Sequence, residues 1–227
     1  MQDKQKLIQQ RMKRMGLLKE APPLRLLDKD MRDWFFEKHP IQSHDYMYIE
    51  EFGISNVRAD IVKLFRFAND GTYQLEGLEI KSSSDTLTRL AMQSMQYARY
   101  FDRCSLIVHT LLLKDALLSL PAHWGVIELY KKYGLICHKE IRPARTTPTG
   151  DYAEFDFLFR EEVLNILRAD NLQSGVTRVD KDILIQRVKD YLTPQEFRQR
   201  ALEAVFTRKD WRRRDLKTLH SYAIKER

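Results

Sequence analysis

An α/β domain built on a mixed sheet is predicted by three features of this 227-residue chain. Residues 57–67 alternate in polarity and are rich in β-branched and aromatic side chains, as a half-buried strand requires. Asn69-Asp70-Gly71-Thr72 then supplies an Asp-Gly pair suited to a tight two-residue turn, and residues 73–82 form the returning strand. After this hairpin, helical and strand patterns interleave, which favours a sheet with helices packed on it.

The elements follow in order. Residues 28–38 read as a helix stopped by His39-Pro40, with Met31, Trp34 and Phe35 on its core face. Ala21-Pro22-Pro23 separates it from a basic amphipathic helix or arm over residues 1–22. Beyond the hairpin, Ser83-Ser84-Asp85 reads as an N-cap cluster opening a helix to about Phe101. Strands are expected at 104–110, 125–130 and 135–141, with a short helix over 114–120 closed by Pro121. Residues 145–150 read as a long turn, and from Phe157 onward the strand pattern gives way to three helices, one of them starting at Leu192-Thr193-Pro194. The division is therefore an arm (1–22), a core (23–160) and a helical basic extension (161–227).

Composition narrows the function. Hydrophobic residues at 43% and charged residues at 31% match soluble globular proteins and suffice for one core. The formal charge of +7 favours an anionic partner, of which nucleic acid is the commonest. Cys104 and Cys137 lie in strand-like runs outside any CxxC pair, and the histidines lack ligand spacing, so neither a zinc site nor a disulfide framework is expected. The apolar run 106–120 is interrupted by His109, Lys114 and Asp115, which argues against a membrane span. The first residues lack the apolar core of a signal peptide, so a cytoplasmic location is expected.

The chemistry centres on Glu79-Ile80-Lys81. In a strand, Glu79 and Lys81 face one side and Ile80 the other. A two-residue turn at Asp70-Gly71 pairs Asn69 with Thr72 and, counted back along the ladder, sets Asp60 opposite Lys81 with Glu79 diagonal to it. Two carboxylates can bind Mg²⁺ or Mn²⁺ through oxygen while leaving positions for water and phosphate. Lys81 suits orienting that water or stabilising developing charge, and the Ile80 carbonyl is a further candidate ligand. The same residues also fit an ordinary Asp–Lys pair on a solvated sheet face. On the following helix, Gln93 and Tyr97 share a stripe with Arg89, opposite a core stripe of Leu87, Leu90, Ala91, Ser94, Ala98 and Phe101. That polar stripe fits either a water- and phosphate-positioning role or a wet helix face.

The run VRADIVKLF, then LEGLEIKSSSDTLTRL, then QSMQYARYFDRC resembles PD-(D/E)XK nucleases that carry a Q-x-x-x-Y element after the E-x-K strand. Among these it is most similar to a small bacterial and phage family. The likeness continues through LPAHWGVIEL, IRPAR and FLFREEVLNIL and returns at FTRKDWRRRD. Such relatives commonly have two Trp where this chain has His123-Trp124. The resemblance implies a restriction-endonuclease-like core, metal ligation by Asp60 and Glu79, a catalytic role for Lys81 and supporting roles for Gln93 and Tyr97. It also implies a further acidic ligand, for which Glu51 is the choice and Glu50 and Glu37 are alternatives.

The excess charge concentrates near the carboxy terminus, where Arg208, Lys209, Arg212, Arg213, Arg214 and Lys217 surround Trp211. Read as a helix, this segment offers a phosphate-gripping face, and Arg89 adds to the nucleic-acid contacts. The expected function is a metal-dependent nuclease acting on nucleic acid, with DNA as the expected substrate and a homodimer compatible with cutting two strands. The alternative is a non-catalytic nucleic-acid-binding or phage regulatory or assembly protein that keeps the fold.

Overall fold

In the computed structural model, which describes residues 24–147, 155–209 and 213–215, six strands and six helices form a helix–sheet–helix sandwich. The order is α1 (Asp28–Lys38), β1 (Tyr46–Ile54), β2 (Val57–Arg66), β3 (Tyr73–Lys81), α2 (Leu90–Tyr100), β4 (Arg103–His109) and α3 (Thr110–Ser119). It continues with β5 (Gly125–Lys132), β6 (Leu135–Arg142), α4 (Arg160–Ala169), α5 (Lys181–Tyr191) and α6 (Pro194–Thr207). A two-residue strand, β7 (Arg213–Arg214), adds to the edge. The sheet order is β6-β5-β4-β3-β2-β1-β7, with β3–β4 and β4–β5 parallel and the other pairs antiparallel, so the expected mixed sheet is present. Among the described residues, no helix is long and apolar enough to cross a membrane.

Each face of the sheet has its own core. Met31, Trp34 and Phe35 of α1 pack on Tyr48, Ile61, Leu78, Ile80, Ile107 and Leu129, as the apolar face of this helix predicts. The opposite face carries the larger cluster, which joins Leu64, Leu75, Leu106 and Val126 to Leu90 and Phe101 and to residues of α4, α5 and α6. Helices after residue 160 thus share one core with the sheet. Thr193 caps α6, with Pro194 in its first position and Glu196 closing the capping box, so this start was legible from the sequence.

Three elements differ from expectation. Strand β1, absent from the sequence reading, pairs along β2 from Tyr46↔Phe65 to Ile54↔Val57. Its polarity alternation breaks at Glu51, whose φ of 56° turns the strand so that both Ile49 and Phe52 reach the same core. A non-glycine residue in that region costs roughly 1–2 kcal/mol, and the broken alternation hid the strand. The first turn of α2 also begins later than expected. Ser82 to Asp85 form their own turn, with Asp85 Oδ2 accepting from the Ser82 amide (2.7 Å) and hydroxyl (2.6 Å). Finally, the hairpin turn is wider than two residues: Phe67 N–H donates to Thr72 O (2.8 Å), enclosing residues 68–71, with Gly71 at φ 71°.

That wider turn slides the β2–β3 register by two residues, so that Tyr73 faces Arg66 and Leu78 faces Ile61. Because side chains alternate with period two, an even slip preserves every facing. Asp60 therefore falls opposite Glu79 by extension of the ladder rather than opposite Lys81.

The basic extension is also built differently. Arg208 follows the end of α6 with its side chain only 7% exposed, held by Glu162 (2.6 Å from both Nε and NH2) and stacked 4.1 Å from the Phe159 ring centre. Burial and pairing make it a fastener of α6 to α4, which corrects its assignment to a phosphate-gripping face. Residues 213–214 form a strand paired with Tyr48 and Ile49, which corrects the expected helix. Arg214 Nε donates to Glu50 Oε1 (2.6 Å), and its guanidinium lies 3.9 Å from the Phe36 ring centre. Lys209 is exposed. Trp211, Arg212, Lys217 and the arm over 1–22 lie outside the described residues, as does the Arg213 side chain.

Two stability measurements follow. A Cβ at position 77 would lie 2.5 Å from the buried Phe101 ring, so Gly77→Ala should destabilise by about 1–3 kcal/mol in urea unfolding. An unshifted midpoint would show that the ring retreats freely. Arg208→Ala, leaving Glu162 without its partner, should cost roughly 3–5 kcal/mol, whereas Lys209→Ala should stay within about 0.5 kcal/mol. Equal effects of the two would remove Arg208 from the fold's framework.

Candidate functional site

Strands β2 and β3 pair as far as Ile61↔Leu78 and then part. Strand β2 continues with β1 to their turn, while β3 continues to Lys81 beside β4. The opening is a cleft of about 630 Å³. Its lining includes Glu51, Asp60, Glu79, Ile80, Lys81, Arg89 and Gln93, all singled out from the sequence, together with Asn56, Arg58 and Asp85. Glu50 instead pairs with Arg214, and Glu37 is not among the lining residues.

Asp60 holds the split. Its Oδ2 accepts from the Ile80 amide at 2.7 Å, replacing a main-chain acceptor where the ladder has ended. Its Oδ1 lies 3.0 Å from Arg32 NH2, and its own carbonyl accepts from Arg32 NH1 at 3.0 Å. Burial and the charge of Glu79 outweigh Arg32, Lys81 and the Ile80 amide, raising the Asp60 carboxyl to about 7.

Glu79 and Lys81 are 2% and 6% exposed, so the reading of Asp60 and Lys81 as an ordinary pair on a solvated sheet face fails. Glu79 Oε1 accepts from Lys81 Nζ and Gln93 Nε2, both at 2.7 Å, and Oε2 accepts from the Tyr97 hydroxyl at 2.5 Å. Burial and the Glu79 charge push the Tyr97 hydroxyl well above its usual range, so it stays a donor. Tyr97 in turn stacks on the fully buried Trp124 at 5.3 Å, giving the His123-Trp124 segment a supporting position behind the site.

The wet-face reading of α2 also fails. Leu90, Gln93, Ser94 and Tyr97 share the buried face, while Ala91 of the expected core stripe is exposed. The spacing of Gln93 and Tyr97 was read correctly, but their side of the helix was not. Arg89 is exposed at the head of α2, where it lines the cleft. Gln93 Oε1 is buried without a protein partner. A lost amide hydrogen bond is costly, so this acceptor is suited to a water or ligand donor in the cleft.

Sequence reasoning missed Arg32. This guanidinium reaches from α1 to Asp28 (2.7 Å), Glu51 (2.8 Å) and Asp60 (3.0 Å), and the only visible signal was its i, i+4 spacing from Asp28. Among the described residues, no three His, Cys, Asp or Glu side chains converge as a ready metal site. The donor chemistry nevertheless fits a hard divalent ion: Glu51 and Asp60 already converge on one cationic nitrogen, and Glu79 lies near enough for its charge to raise Asp60.

The family model described as Bacteriophage P4 protein cII matches residues 29–225. No curated protein matches the sequence.

The Asp60 pKa gives stability a defined pH dependence. Because the folded value lies above the unfolded one, the folded state retains the proton longer. This contribution is complete below about pH 4 and is lost as pH rises through about 7. Urea unfolding from pH 4 to 8 should therefore show Asp60→Asn gaining on the wild type as pH rises. A pH-independent offset between the two would contradict the raised Asp60 pKa.

Proposed function

This chain belongs to the bacteriophage P4 protein cII family, and we propose that it is a metal-dependent nuclease of the PD-(D/E)XK type. The observation that carries this reading is the convergence of Glu51, Asp60, Glu79, Lys81 and Gln93 on one cleft where the sheet splits. Asp60, Glu79 and Glu51 would hold Mg²⁺ or Mn²⁺, with the Ile80 carbonyl as a further oxygen ligand. An ion held there would lower the pKa of a water and offset phosphate charge in the transition state.

The chain's own groups divide the remaining work. Lys81, buried beside Glu79, supplies a positive charge to the attacking water and the developing oxyanion. Gln93 holds Glu79 through its amide nitrogen and presents its free Oε1 to the water's proton. Tyr97 fixes the other Glu79 oxygen and has no separate chemical step. Arg89 and Arg58, both exposed at the cleft, are placed to meet backbone phosphates, and exposed Lys209 is available for the same task. DNA is the proposed substrate, with a homodimer as the arrangement that would cut two strands.

One observation favours a second reading, a phage regulatory protein that keeps the fold without turnover. Every Asp60 and Glu79 carboxylate oxygen already has a protein partner. Purified chain with labelled single-stranded, duplex, flap and junction DNA, with and without Mg²⁺ or Mn²⁺, separates the two. On the nuclease reading, Asp60→Ala and Glu79→Ala abolish cleavage, a barrier increase on the order of several kcal/mol. Lys81→Ala keeps metal binding by calorimetry yet loses most turnover, and Gln93→Ala loses ~10- to 100-fold. Metal-independent DNA binding with no cleavage of any substrate would instead establish the second reading.

A further inference from the structure

Glu51 and Asp60, two of the residues that would hold a metal, are joined by a protein cation. Arg32 NH2 lies 2.8 Å from Glu51 Oε1 and 3.0 Å from Asp60 Oδ1, so a single nitrogen bridges the two carboxylates. This is no loose surface contact. The Arg32 side chain is 15% exposed, and its helix is fixed to the sheet by Met31, Trp34 and Phe35 on either side of it in sequence. A divalent ion on the same two carboxylates would repel that guanidinium and draw on the same negative charge, so each cation weakens the hold of the other.

We propose that Arg32 is a resident counter-ion that competes with a divalent metal for Glu51 and Asp60, and that loading proceeds by exchange of one cation for the other. The proposal rests on the metal-dependent reading above. Its charge logic is local: Glu51, Asp60 and Glu79 would repel one another without Arg32 and Lys81, so the metal-free site stays folded because these two cations occupy it. The exchange turns on the carboxylates, because the planar guanidinium keeps NH2 in place while Nε holds Asp28 at 2.7 Å and NH1 holds the Asp60 carbonyl at 3.0 Å. Rotation of the Glu51 and Asp60 side chains away from NH2 breaks the two NH2 contacts. Retained beside the ion, the freed NH2 is available to an incoming anion such as a phosphate.

The test is calorimetric titration of Mn²⁺ into metal-stripped full-length chain, comparing wild type with Arg32→Gln and Arg32→Lys. Removing the competitor should tighten Mn²⁺ binding on the order of tenfold or more for Arg32→Gln. Arg32→Lys, which keeps the charge but cannot bridge through a planar fork, should fall between. Thermal unfolding gives a second readout. The Arg32 variants should melt lower than wild type without metal and show the larger rise in Tm when Mn²⁺ is added. Should Arg32→Gln fail to fold, the Arg32→Lys titration decides alone. Equal or weaker Mn²⁺ binding by the folded variants, with wild type still binding and cutting, overturns the counter-ion role and leaves the nuclease reading standing. Absence of Mn²⁺ binding in wild type and variants alike overturns both.

Discussion

The Asp60 carboxylate stands in for a strand. Where β2 leaves β3, the Ile80 amide loses its main-chain acceptor, and a buried amide without a partner costs about as much as a lost hydrogen bond. Asp60 Oδ2 fills that vacancy at 2.7 Å, so the sheet splits without leaving the amide orphaned. The candidate site depends on the split. It leaves β3 paired on one side only from Glu79 to Lys81, and it turns the β1–β2 tip into the opposite wall of the cleft. The positive φ of Glu51 contributes on the outer side, because the turned backbone keeps Phe52 and Ile54 in the core beyond the break.

Around that split, acids and bases are matched by position. Glu79 is almost wholly removed from water, and a lone carboxylate there would be untenable. Lys81, Gln93 and Tyr97 together give it three donors, and Trp124 keeps Tyr97 in place. Asp60 is less well compensated, and its raised pKa reports its burial first and the repulsion from Glu79 second. A buried acid held above its ordinary range beside another acid is a site with unmet demand for positive charge.

The carboxy-terminal segment joins the same network rather than standing apart from it. Arg214 pairs with Glu50, the neighbour of Glu51, from a strand hydrogen-bonded to β1. Arg208 is consumed in tying α6 to α4. Basic residues clustered in sequence thus separate in space into a buried fastener, a partly exposed strand residue on the outer edge of β1, and an exposed lysine. Only geometry tells these apart, since all three contribute equally to net charge.

The sequence by itself determined the order of most elements, the buried face of α1, the start of α6 and the shared side of Glu79 and Lys81. These are local properties: turn chemistry, caps and the periods of strand and helix act over a few residues. That Asp60 shares a side with Glu79 and Lys81 was legible for the same reason, because a two-residue register slip leaves side-chain facing unchanged. Tertiary structure alone decided the rest. Strand β1 was hidden because one left-handed residue interrupts its alternation, and only pairing with β2 makes it a strand. Gln93 and Tyr97 became buried donors because Glu79 waits beneath them, which reverses the facing that polarity suggests. Arg32 entered the site because packing of α1 carries it to acids far away in the chain, and no local pattern encodes a contact between residues whose nearness the fold creates.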